Sequence, residues 1–132
     1  MATKEVSTAE SGLSDTNLCV LVGELSSDPR PLELASGSVL LRCEVTVRAT
    51  DSVPVVRFDP IASERSLSAG ERGVVVGRVH RRFFRAGGTT VSRTEVVADR
   101  VVLVRNGVRA SRLVESLQTR LSTVAPDDVV AA

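Results

Sequence analysis

Six consecutive residues, His80-Arg81-Arg82-Phe83-Phe84-Arg85, combine three guanidinium groups with two aromatic rings, and Arg93 follows a short Gly-containing turn. Guanidinium groups fork onto phosphate oxygens and stack on flat rings. Exposed aromatic rings accept unstacked bases. Successive side chains of a strand point to opposite faces. Arg78, His80, Arg82 and Phe84 therefore share one face, and Arg81, Phe83 and Arg85 the other. The first face is the better candidate surface for a flexible polyanion that carries bases. Phe83 is then expected to face the core or a neighbouring subunit. Adjacent phenylalanines in a strand also serve as core, so that alternative stands for both rings.

The charge distribution points to the same region. Residues 1–40 carry two basic and six acidic side chains, whereas residues 41–109 carry thirteen basic and seven acidic ones. A positive middle is what a polyanion site needs. Sixteen of the seventeen cations are Arg, a preference that a GC-rich coding sequence would also produce. Arg42, Arg48 and Arg57 fall on or beside strands of this middle region, where exposed faces are ordinarily charged.

Other chemistry finds little support. A single His, without a matching nucleophile, makes no triad, so no enzyme activity is expected. Cys19 and Cys43 lack metal-ligand spacing and sit in apolar runs, as buried free thiols do. Neither a metal nor any other cofactor is expected, nor a small-molecule substrate. The first dozen residues are polar, and the apolar runs are too short to cross a bilayer. The expectation is a cytoplasmic, nucleoid-associated protein with no membrane partner.

The elements that must position these residues follow from periodicity. Residues 1–16 read as a flexible arm. Residues 18–25 form a first strand, closed by the turn signal Ser26-Ser27-Asp28-Pro29, and Leu32 and Leu34 suggest a strand edge. Residues 39–47 alternate, with Leu41, Cys43, Val45 and Val47 on one face and Arg42, Glu44, Thr46 and Arg48 on the other. A connection over 49–54 precedes a brief strand at 55–58. Asp59 and Pro60 suit a helix start, predicting a helix over 61–67. Residues 74–84 and 91–104 form a hairpin around Ala86-Gly87-Gly88-Thr89. Five strands with a helix between the third and fourth match an all-β, five-stranded OB-fold barrel. Residues 17–105 would form this domain. Residues 106–132 would add a C-terminal helix and tail, with Leu113, Val114, Leu117, Leu121 and Val124 on one helical stripe. That stripe packs either on the barrel or on another chain.

Residues 17–29, NLCVLVGELSSDP, resemble the opening strand of the bacterial single-stranded DNA-binding protein (SSB) family, which runs N-x-V-x-L-x-G-x-L-x-x-D-P. The Ser36-Gly37 turn before an alternating strand, Phe58 at the end of the third strand, and Leu67-Ser68-Ala69-Gly70-Glu71-Arg72 resemble the same family in order. So do Val75-Val76-Gly77-Arg78-Val79 and Thr94-Glu95-Val96-Val97-Ala98, over roughly residues 17–104 in all. The resemblance implies single-stranded DNA as partner, bound with little sequence preference in replication, repair or recombination, by a homodimer or homotetramer. It places Phe58 and Phe84 at base-stacking positions, and Arg78, Arg82 and Arg85 at commonly basic ones. Arg93 joins them from the return strand, and the resemblance adds Arg42, Arg48 and Arg57, on strands that line the family's groove, with ordinary solvated charge as their alternative. Two usual aromatic positions are empty here, and Asp127-Asp128 followed by Val-Val-Ala-Ala is not the family's acidic, Phe-ending tip. The expectation is thus a divergent or accessory paralogue. Its alternative is an OB-fold interaction protein with weak or no DNA binding, forming mixed oligomers with a replication or repair partner.

Overall fold

Alternation along one nine-residue strand sets the inner face of this fold. A computed structural model of the chain describes residues 14–124. In it the strands are β1 (Cys19–Leu25), β2 (Arg30–Glu33), β3 (Val39–Val47), β4 (Asp51–Phe58), β5 (Arg72–Ala86) and β6 (Thr89–Leu103). Helix α1 (Ala62–Arg65) separates β4 from β5, and α2 (Gly107–Val124) follows β6. The N-terminal arm expected over 1–16 falls almost wholly outside the described residues, as does the tail over 125–132.

On β3, Cys43, Val45 and Val47 turn into the core, while Arg42 and Glu44 stay exposed. The core is aliphatic: Leu25, Val45, Val55, Leu67, Val75, Val96, Ala98, Val101 and Leu103 are buried together. The sheet runs β1-β5-β6-β4-β3, and the end of β1 pairs back onto β3, closing a ring of five strands with β2 attached outside β3. Neighbours are antiparallel except β4 and β6, which run parallel where Val55 and Val56 meet Val96 and Val97.

Closure depends on β1 changing partners. Residues 19–24 pair with β5, and Glu24 and Leu25 pair with Thr46 and Val45 of β3. Gly23 sits at the changeover. A Cβ there would lie 2.5 Å from the Thr46 carbonyl oxygen and 3.0 Å from the Val45 side chain, so only glycine fits. The Ser26 and Thr46 hydroxyls hydrogen-bond across the seam at 2.6 Å. The Asp-Pro turn signal has a structural use as well: Asp28 Oδ1 accepts from the Ala69 amide at 2.8 Å, fastening the exit of β1 to the loop before β5.

The structure corrects three local expectations. First, β4 begins at Asp51, so the connection from β3 is only residues 48–50. Pro54 lies within β4, opposite Glu44. It is tolerated because β4 meets β6 only at Val55 and Val56, leaving Pro54 on a free edge where its missing N–H costs no ladder bond. Arg48 (φ 55°) and Ala49 (φ 63°) both adopt the left-handed region to make this tight reversal.

Second, Asp59 does not cap the helix. Its φ is 48°, and its carboxylate accepts from the Val39 amide at 3.4 Å. Third, α1 is a single turn. Glu64, fully buried, supplies the capping instead: Oε1 accepts from the Ile61 amide and from Arg57 Nε, both at 2.9 Å, and Oε2 accepts from the Val101 amide at 2.9 Å.

The long hairpin forms as expected. Its register slips between Val76 and Gly77, so Asp99 is the inserted residue of a bulge. Residues Leu18–Gly107 make one compact unit. In α2, Leu117 is buried and Val114 and Leu121 are exposed. No helix among the described residues is long and apolar enough to cross a membrane.

Two stability outcomes follow. Glu64→Ala leaves the Arg57 guanidinium and the Val101 amide without their carboxylate and should destabilise the chain by about 3 kcal/mol or more. Ala49→Gly relieves a left-handed alanine and should stabilise it by up to about 1 kcal/mol. Denaturant titrations at constant m-value check both.

Candidate functional site

Beyond the bulge, β5 and β6 continue as a two-stranded ribbon whose cross-strand pairs fix which side chains share a face. Arg78 lies opposite Val97, His80 opposite Glu95, Arg82 opposite Arg93, and Phe84 opposite Val91. Val97 follows Val96, a core residue, so this set continues the outer face of the ring. On β3 and β4 the outer face carries Leu40, Arg42, Val56 and Phe58. Two cavities lie on this side. One, of about 290 Å³, is lined by Leu32, Leu34, Leu40, Arg42, Val56, Phe58, Arg82 and Glu95. The other, of about 310 Å³, is lined by Ser27, Arg30, Arg42, Cys43, Glu44 and Arg93. Arg42 borders both.

The structure therefore brings together Arg42, Phe58, Arg82 and Arg93, one from each of the four strands β3, β4, β5 and β6. Arg78 and Phe84 share their face but line neither cavity. Phe58 is 44% exposed beside the apolar cavity. Phe84 is half-buried, with the Arg82 guanidinium carbon 4.9 Å from its ring centroid. Arg82 already covers this ring, so Phe58 is the more accessible platform.

The remaining candidates lie elsewhere. Arg57 points to the inner face, where its Nε bonds to Glu64; its guanidinium is spent on closing the ring and is not presented to the outer groove. Arg48 sits in the β3–β4 turn, at the same end of the ring as the ribbon because β4 and β6 run parallel. Arg85 is on the opposite face of the ribbon, braced at its tip by Thr90 Oγ1 at 3.3 Å and the Gly88 carbonyl at 2.8 Å. Phe83 shares that opposite face with Arg81, which lies 5.6 Å from its ring centroid. It is not core: at 65% it is the most exposed phenylalanine, because the ribbon has grown past the ring that would have covered it.

Two residues of the site escaped the sequence reading. Glu95 is buried in the outer face, 3.5 Å from Arg82 Nε and 3.9 Å from Arg93 Nε. It holds both guanidinium groups in place and also puts a negative charge among them. Its signal was an acid directly before the apolar Val96-Val97-Ala98. Arg30, between the Ser26-Ser27-Asp28-Pro29 turn signal and the strand edge expected at Leu32, carried no assignment; only the register of β2 on β3 reveals that it stands opposite Arg42.

Among the described residues no group of three or more His, Cys, Asp or Glu could hold a metal ion. Burial, and secondarily the Glu44 carboxylate, push the Cys43 thiol from its ordinary 9.0 up to about 11. Burial also raises Cys19. The folded chain then binds more protons than the unfolded chain between those two values, so stability falls as pH rises from about 9 through 11. With one Lys and no Tyr in the sequence, few other groups titrate there. Thermal melts across this range should show a falling Tm that is shallower in Cys43→Val. The sequence pattern of no known protein family matches this chain, and a comparison with curated proteins found none similar to it.

Proposed function

We propose that the five-stranded ring is an OB-fold barrel and that its outer face binds single-stranded DNA with little sequence preference. Support for the fold comes from the strand order, with one parallel pair between β4 and β6 and a short helix between β4 and β5. Such barrels bind oligonucleotides on the face of their second and third strands, between flanking loops. Those strands here are β3 and β4, and the flanking elements are the segment containing β2 and the β5–β6 ribbon.

The observation that carries the reading is the convergence of Arg42, Arg82 and Arg93 with exposed Phe58 on that one face. Guanidinium groups would follow the phosphates, and the ring would take a base. The role in replication, repair or recombination belongs to the same proposal, as does a homo-oligomer, which the exposed Val20 and Val22 of β1 support. Buried Glu95 favours a second reading, an interaction protein with weak DNA binding, because a carboxylate in the groove offsets part of its positive charge.

Titration of fluorescent oligo-dT against salt decides between the two. Phe58→Ala should weaken binding by about 1–3 kcal/mol with an unchanged salt slope. Arg82→Ala should weaken it and reduce the slope by about 0.7. Absence of binding at low salt would remove the strand-binding reading.

A further inference from the structure

Arg30 and Arg42 stand directly opposite each other on β2 and β3. Like charges in that position destabilise an antiparallel pair. Neither guanidinium has a hydrogen bond or ion pair with the protein among the described residues. Arg93 joins them around the cavity of about 310 Å³, where Ser27 adds a hydroxyl and Glu44 is the one carboxylate on the wall. Arg93 reaches this wall while paired with Glu95 at 3.9 Å. Arg93 shares the Glu95 carboxylate with Arg82, so the cations on this wall that lack an ion pair are Arg30 and Arg42, facing the one carboxylate of Glu44. The volume falls at the lower end of small-ligand pockets, about 300–1,000 Å³.

We propose that this cavity is a phosphate seat, in which Arg30, Arg42 and Arg93 clamp one phosphate group and Ser27 completes its hydrogen bonds. Guanidinium forks match phosphate oxygens in geometry and charge. The seat rests on the strand-binding reading for one source of its ligand, a phosphodiester within a strand. A phosphate monoester, at a strand end or free, offers the same chemistry. Arg30 is in either case the residue added to the site, and the free protein carries a repulsion that the bound group relieves.

A residue of this kind has a two-sided signature. Arg30→Gln should raise the Tm of the free protein in low-salt chloride buffer, and the gain should shrink as salt screens the pair. The same substitution should weaken phosphate binding. Thermal melts of the full chain with inorganic phosphate, against chloride at matched ionic strength, should show a rise of a few degrees in the parent chain and little or none in Arg30→Gln. Affinity for oligo-dT should fall about tenfold. Arg42→Gln repeats both comparisons from the other side of the pair.

A 5′-phosphorylated oligonucleotide that binds several-fold tighter than its 5′-hydroxyl counterpart assigns the seat to a strand end; equal affinities assign it to internal phosphodiesters. If no oligonucleotide binds but the phosphate shift persists and is lost in Arg30→Gln, the strand reading fails and the seat stands for a free phosphate ester. A phosphate shift and an oligonucleotide affinity that both survive Arg30→Gln and Arg42→Gln overturn the seat and leave the strand reading intact.

Discussion

One buried carboxylate ties together three parts of the chain, two of them strands whose own pairing is only two residues long. Glu64 receives Arg57 from the end of β4, the Ile61 amide at the opening of α1, and the Val101 amide of β6. The parallel contact of β4 with β6 is only two residues long, so β6 runs on past its neighbour. The carboxylate takes the ladder position that a longer β4 would have filled. An unpaired amide in the interior costs about as much as a lost hydrogen bond. A one-turn helix is far too short to be stable alone. Its position is therefore set by this acid and by Leu67 in the core, and with it the end of the ring is sealed.

Charge on the outer face is organised by a second acid. Glu95 orients Arg82 and Arg93 while lowering the net potential that a polyanion would feel. Arg30 and Arg42 have no such restraint. The face thus carries two kinds of cation: Arg82 and Arg93, compensated and preset by Glu95, and Arg30 and Arg42, which repel each other. Positioning and attraction are separate demands on a groove, and here they fall on different arginines.

Much of the ring was legible because period-two alternation and turn residues carry local information. Leu41 to Val47 announces an inner face, Gly87-Gly88 a reversal, and Val74 to Val76 a strand buried on both sides. What escaped was decided between distant residues. Arg57 and Arg42 look alike in sequence, each a cation between two apolar residues; odd against even position on adjacent strands turns one inward to Glu64 and leaves the other in the groove. Phe83 and Phe84 differ in the same way, and their exposure depends on how far the ribbon outgrows the ring. The left-handed turn at Arg48 and Ala49 had no glycine or asparagine to signal it. Arg30 could not be placed before the register of β2 was known.

The ribbon's isolation has a consequence for how this chain can change. From Arg78 to Glu95 its two strands have only each other as strand neighbours, since β1 pairs with β5 no further than Gly77 and β4 meets β6 no earlier than Val96. Such a two-stranded segment opens locally at a free energy well below that of global unfolding. Substitutions, insertions or deletions there are accordingly felt by the arm and hardly by the ring. Length and charge at the tip can drift over generations without threatening foldability, whereas Gly23, Glu64 and Gly77, where a Cβ would strike the Val97 carbonyl oxygen, have no such latitude.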